Sequence, residues 1–160
     1  MKKNTKTLLP VLIIALIFWI GIIFLLSSQN GEQTFNLSNG VSSNIIDVFF
    51  KGMTQAESVK IHEYLRKVAH ISLFGVLGML LSLIFNIIFS EKGKWGYIIS
   101  FFISVFCFSG IAFFDEWRKQ FIDGRHFDMI DVKLNLVSGF LGVIFVFIAI
   151  KVIAIVKKRY

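Results

Sequence analysis

The sequence predicts an all-α polytopic membrane protein, with four transmembrane helices in an antiparallel bundle. Three observations carry that prediction. Of the 160 residues 56% are hydrophobic, with one Pro. Four apolar runs of span length alternate with polar stretches, and Lys and Arg gather near their ends. A soluble domain of this size could not bury so much apolar surface, whereas lipid welcomes it outside. The net charge of +7 would suggest nucleic acid in a soluble protein. Here it reads as basic residues at the cytoplasmic ends of spans, with the lipid bilayer as partner and no nucleic acid. The one cysteine, Cys107, lies in an apolar run. That excludes a disulfide or a cysteine-based zinc site within one chain and predicts a packed thiol.

The first span is 8–26, an uncharged run of 19 residues after Lys2, Lys3 and Lys6. At about 1.5 Å per residue it is long enough for the roughly 30 Å hydrocarbon core. It exceeds the usual apolar stretch of a signal peptide and no A-x-A site follows, so an uncleaved span is expected. Pro10 stands near its start, where a missing N–H costs little. Residues 27–67 form a polar outer loop. Gln29 to Gly40, rich in Asn, Gly, Ser and Thr, reads as loop, and Ile45 to Phe50 as a short interfacial helix. Ser27 to Gly52 is expected to be mobile. Thr54 and Glu57 fit a capping box, which predicts a helix from near Gln55 running unbroken into the second span.

The second span is 68–89, with His70 one turn inside and Asn86 near the far end. The five-residue connection 90–94 makes it an antiparallel neighbour of the third span, 95–114. Trp95 and Tyr97 read as anchors at one interface, Trp117 and Phe121 at the other. Residues 115–133 form a second outer loop. The fourth span is 134–156, provided Lys151 snorkels to the interface. Ser138, Gly139 and Gly142 in it read as close helix packing. The whole is one domain without internal repeats. Four spans put both termini on one side, which is assigned to the cytoplasm. Lys2, Lys3, Lys6, Lys92, Lys94, Lys151, Lys157, Lys158 and Arg159 stand there almost without acids.

The chemistry gathers between Asp115 and Gly142, a stretch holding five of the ten acids, four basic residues and a His. Asp131 and Asn135 are i, i+4 neighbours if helical, and they lead into a span, where polar groups are costly. Gly124 suits a turn before Arg125. At the same outer level the second span opens with Arg66, Lys67 and His70, while Asp115 and Glu116 close the third. Because these spans are neighbours, a contact of Arg66 with Asp115 or Glu116 is expected, since a guanidinium matches a carboxylate bidentately. A His with carboxylates can act as an acid–base pair. It can equally hydrogen-bond a neighbouring helix and do nothing more. Ser27 and Ser28 can be polar lining or nucleophile. No nucleotide loop, nucleophile elbow or zinc-peptidase motif is present, and no metal-ligand spacing, so neither metal nor cofactor is assigned.

Several of these residues fall in an ordered set. Ser28-Gln29 follows span one and Arg66-Lys67-x-x-His70 opens span two. Asp115-Glu116-x-x-x-Gln120 closes span three. Gly124-Arg125, Asp128-x-x-Asp131-Val132 and Asn135-x-x-x-Gly139 come next. The set, from about Phe24 to Gly142, resembles the VanZ-like family of small bacterial membrane proteins. Ile122-Asp123 stands where that family usually has Pro or a similar residue near the Gly-Arg. The resemblance implies a cell-envelope role in the bacterial plasma membrane; the family's namesake is linked to low-level resistance to the antibiotic teicoplanin. Two functions follow as expectations. One is an outer-face site that binds a lipid-linked cell-wall intermediate or a lipoglycopeptide. It would be lined by Gln29, Arg66, Lys67, His70, Asp115, Glu116, Gln120, Arg125, Asp128, Asp131 and Asn135. The other is a membrane-embedded hydrolase or transferase on such a precursor, with His70, Asp115, Glu116 and Asp131 as catalytic candidates. A small transporter ranks below both, because polar residues stand only at the span ends.

Overall fold

In lipid a chain must satisfy its backbone hydrogen bonds internally, so long apolar runs become helices. The computed structural model describes residues 3–28, 55–123 and 125–159, and of their side chains those of 7–28, 64, 67–123 and 125–157. Four helices make up the described chain: α1 (Lys3–Ser27), α2 (Gln55–Ile88), α3 (Gly93–Lys119) and α4 (Met129–Arg159). Each is long and apolar enough to cross a membrane. The all-α, multi-pass membrane architecture is therefore the observed one. A 3₁₀ turn at Ser90–Lys92 joins α2 to α3. Gly93 ends that turn at φ 57°, a backbone conformation that glycine adopts without steric cost.

The helices outrun the apolar segments. α2 begins at Gln55 and continues without a break into the membrane span, as the sequence predicts. α3 keeps its helical path through Asp115 and Glu116 to Lys119, and α4 is already helical at Met129. The expected outer loop 115–133 is thereby reduced to the link 120–128. The physical reason is that the polar ends pair locally: the last-turn cations of α3 sit one turn from its acids, and Asp128 caps α4. A stretch of 30 residues, Ser90–Lys119, is about 45 Å long. That exceeds the roughly 30 Å hydrocarbon core, so one end of α3 reaches the membrane boundary. The expectations for Gln29–Gly40, Ile45–Phe50 and most of Ser27–Gly52 lie outside the described residues, as do Thr54 and the side chain of Glu57.

Ile23, Phe74, Leu77, Leu81, Phe108, Ala112 and Val143 form the buried core, one contribution at least from every helix. α2 and α4 approach until backbone meets backbone. A Cβ on Gly78 would run into the carbonyl of Gly139, and one on Gly142 into the carbonyl of Gly75. A Cβ on Gly139 would enter the ring of Phe108 on α3. The expected packing role of Gly139 and Gly142 is thus met, since van der Waals fit between small residues is what holds helices together in lipid. Buried hydroxyls bond to backbone. Ser104 donates to Ser100 O at 2.6 Å, and Ser100 Oγ lies 2.9 Å from Phe85 O across the α2–α3 contact. Trp19 Nε1 donates to Leu73 O at 2.9 Å and ties α1 to α2. Cys107 packs against this core, as expected of an inert thiol. Outward, large apolar side chains such as Phe18 and Phe106 (80% exposed) stand in the open. Water would penalise them; lipid does not.

Candidate functional site

The last turn of α3 reads Asp115-Glu116-Trp117-Arg118-Lys119. On a helix, residues three apart stand one above the other. Asp115 therefore meets Arg118, and Glu116 meets Lys119. Both cations lie at the helix C-terminus, where the macrodipole favours positive charge. Asp115, Glu116 and Lys119 are fully buried. Buried charges require partners, and the structure supplies two linked sets.

The first set ties α3 to α1. Asp115 Oδ2 accepts a hydrogen bond from Ser27 Oγ at 3.0 Å. Arg118 Nη2 stands 3.5 Å from Asp115 Oδ1. The same guanidinium donates to Phe24 O at 2.8 Å and to Ser28 Oγ at 2.5 Å. It also lies over the Phe24 ring, 5.1 Å from the centroid. The planar, five-donor fork of Arg suits this; the three donors of a lysine would not span it. Aromatic side chains continue outward from there, Phe24 to Phe114, Phe114 to Trp117 and Trp117 to Phe121.

The second set ties α3 to α4. Lys119 Nζ bonds Glu116 Oε2 and stands 3.7 Å from Asp131 Oδ2. Glu116 Oε1 accepts the backbone N–H of Asp128 at 3.1 Å. Asp128 in turn accepts the N–H of Ile130 at 2.7 Å, which makes it the N-cap of α4. Asp131 follows in the first helical turn, where the dipole favours a carboxylate. One turn on, Asn135 is fully buried and neither of its amide atoms has a hydrogen-bond partner among the described residues. Arg125 N donates to Ile122 O at 3.1 Å; Gly124, at which the sequence predicts a turn, lies outside the described residues.

The structure thus joins Asp115, Glu116, Asp128, Asp131 and, on the same face of α4, Asn135. Gln120 is exposed at the end of α3, and Arg125 is half-buried in the link. Lys67 is exposed on α2. His70, also on α2, stacks on Phe74 with ring planes 7° apart. Gln29 and the side chain of Arg66 lie outside the described residues. The expected contact of Arg66 with Asp115 or Glu116 lies outside the described residues; among the described ones, Arg118 and Lys119 of the same helix hold those carboxylates. The local geometry explains this, because an i, i+3 cation costs no chain closure. Sequence reasoning missed Arg118, and it set Lys119 one turn from Asp115, whereas Lys119 bonds Glu116. The repeated three-residue spacing in Asp115-Glu116-x-Arg118-Lys119 was the available signal. Ser27 is shown to be a carboxylate donor in the buried lining.

With three acids against two cations, the cluster of Asp115, Glu116, Asp131, Arg118 and Lys119 has a formal charge of −1. It can present both carboxylate acceptors and cationic donors to a polar group at the membrane boundary. No curated protein and no solved structure matches the chain significantly. The family model described as VanZ/LLP1 matches residues 12–151, nearly the whole chain, with every described residue of the ordered motifs inside it, and the protein therefore belongs to the VanZ/LLP1 family.

Proposed function

We propose that this protein sits in the plasma membrane of a bacterium with both termini in the cytoplasm and its helices antiparallel. The polar end shared by α1, α3 and α4 then faces outward and binds a lipid-linked cell-wall intermediate. One observation carries the reading. Asn135, wholly buried next to the charged cluster, has a complete set of amide donors and acceptors that no described residue uses. Buried amides are nearly always bonded, and a group left open beside buried charges asks for an external partner. An amphiphile fits: its apolar part would lie against Phe114, Trp117 and Phe121 while its polar part meets the cluster. The net negative charge favours a ligand with an ammonium or several hydroxyl donors. Occupancy of such a precursor, or of a lipoglycopeptide directly, would also account for glycopeptide resistance in the family's namesake.

The experiment is to purify the protein in mild detergent and identify bound lipids by mass spectrometry. A cell-wall lipid intermediate should be retained by the wild type and lost, by tenfold or more, in Asn135→Leu and Asp131→Asn. Equal retention in all three would overturn the binding site. An enzyme would behave otherwise. With purified precursor, His70→Ala would lower turnover by orders of magnitude while leaving the retained lipid unchanged. That result would replace binding by hydrolase or transferase chemistry.

A further inference from the structure

The opposite end of the helices holds a separate cleft of about 170 Å³. It lies where the end of α2, the 3₁₀ turn and the start of α3 meet the late part of α4. Asn86, Ile87, Phe89, Gly93, Tyr97 and Ile150 line it. Its walls are mostly apolar, and three lysines neighbour its lining residues along the chain. Lys92 and Lys94 stand on the turn and the first residues of α3, and Lys151 follows the lining residue Ile150; all three are exposed. Lys92 Nζ lies 5.3 Å from the centroid of the ring of Phe89, a lining residue. Among the described residues of this turn the one acid is Glu91, also exposed. Asn86 uses its Nδ2 on Ser82 O at 2.8 Å, which leaves its Oδ1 for a ligand. Trp95 and Tyr97 are exposed beside it, the usual position of aromatic residues at headgroup depth.

We propose that this cleft binds one anionic phospholipid. The phosphate would sit between Lys92 and Lys94, a headgroup hydroxyl would donate to Asn86, and the first methylenes would lie along Ile87, Phe89 and Ile150. The volume is too small for a whole lipid, so the tails rest on the outer helix surface. Charge points to the occupant: three exposed lysines next to the lining residues, against one acid, complement a phosphodiester with acyl chains. A zwitterionic headgroup would bring a second cation into the same field. Basic residues clustered at a membrane interface favour anionic lipids in this way. The proposal does not depend on the function of the other end.

Native mass spectrometry with equimolar phosphatidylglycerol and phosphatidylcholine tests it. The wild type should retain one phosphatidylglycerol with a preference of about thirtyfold, as two lysines near a lipid surface provide. Lys92→Gln/Lys94→Gln, at exposed positions, should bring the preference close to unity. Ile150→Trp fills the cleft without touching the charge and should lower phosphatidylglycerol retention several-fold. Asn86→Asp, nearly isosteric, sets a carboxylate against the phosphate and should do the same. Equal retention of the two lipids by the wild type would overturn the proposal. So would undiminished phosphatidylglycerol in both Ile150→Trp and Asn86→Asp, because the lysines would then attract lipid only diffusely.

Discussion

Replacing Arg118 by Ala removes the one guanidinium that serves Asp115, Ser28 and the carbonyl of Phe24 together. Asp115 is fully buried and, among the described residues, would keep one hydrogen-bond donor, the hydroxyl of Ser27, and the more distant charge of Lys119. Stripping one partner from a buried ion pair costs about 3–5 kcal/mol. Arg118 is itself 27% exposed, so water can reach the vacated space; about 2–3 kcal/mol is the reasonable expectation for the charge, by the same principle discounted for solvent. The bonds to Phe24 O and Ser28 Oγ add about 1 kcal/mol. At roughly 2–4 °C per kcal/mol for a chain of this size, the midpoint should fall by about 6–16 °C. Thermal unfolding in detergent measures this. The decisive comparison is Asp115→Asn in the Arg118→Ala background. A neutral amide leaves no stranded charge, so the second change should recover at least half of the loss. Arg118→Lys should fall between, since a lysine keeps the charge and loses the fork. A midpoint for Arg118→Ala within 2 °C of the wild type, taken as roughly the smallest resolvable step, would refute the reasoning. So would a double variant no better than the single one.

Gly142→Leu should cost at least about 3 kcal/mol, because its Cβ meets the carbonyl of Gly75 and rigid backbone cannot yield. Gly21→Ala, where nothing stands within 4 Å, should be neutral or stabilise by up to about 1 kcal/mol. Unfolding midpoints of the two variants, measured side by side, check the contrast. Asp128→Ala should destabilise by about 1 kcal/mol through loss of the α4 cap, while Asp128→Ser should keep most of that. Hydrogen exchange in the first turn of α4 should rise in the first variant and not in the second. Unchanged exchange in Asp128→Ala would show that Glu116, through the Asp128 N–H, holds the helix start by itself.

How much could be read in advance follows from which forces are local. Residues 8–26, 68–89 and 95–114 are uncharged runs, and an apolar run in lipid has no alternative to helix. The sequence by itself therefore determined the number of spans, their order and the fold class. It also determined the small-residue seam at Gly139 and Gly142, because only small side chains let two helix backbones touch. Which seam residue meets which was decided by tertiary structure: nothing local to Gly142 says that the carbonyl of Gly75 lies above it. The charged cluster divides the same way. Asp115, Glu116, Asp131 and Asn135 were legible because polar groups at a membrane end are costly and so stand out. Their partners were not, since a carboxylate can be neutralised by any cation within reach. The sequence reading named Arg66 on the adjacent helix, whose side chain lies outside the described residues. The fold placed Arg118 and Lys119 one helical turn away and brought Ser27 in from α1, 88 residues distant. Short-range geometry is cheaper in chain entropy than a second helix, and only the packed structure shows which acids it reaches.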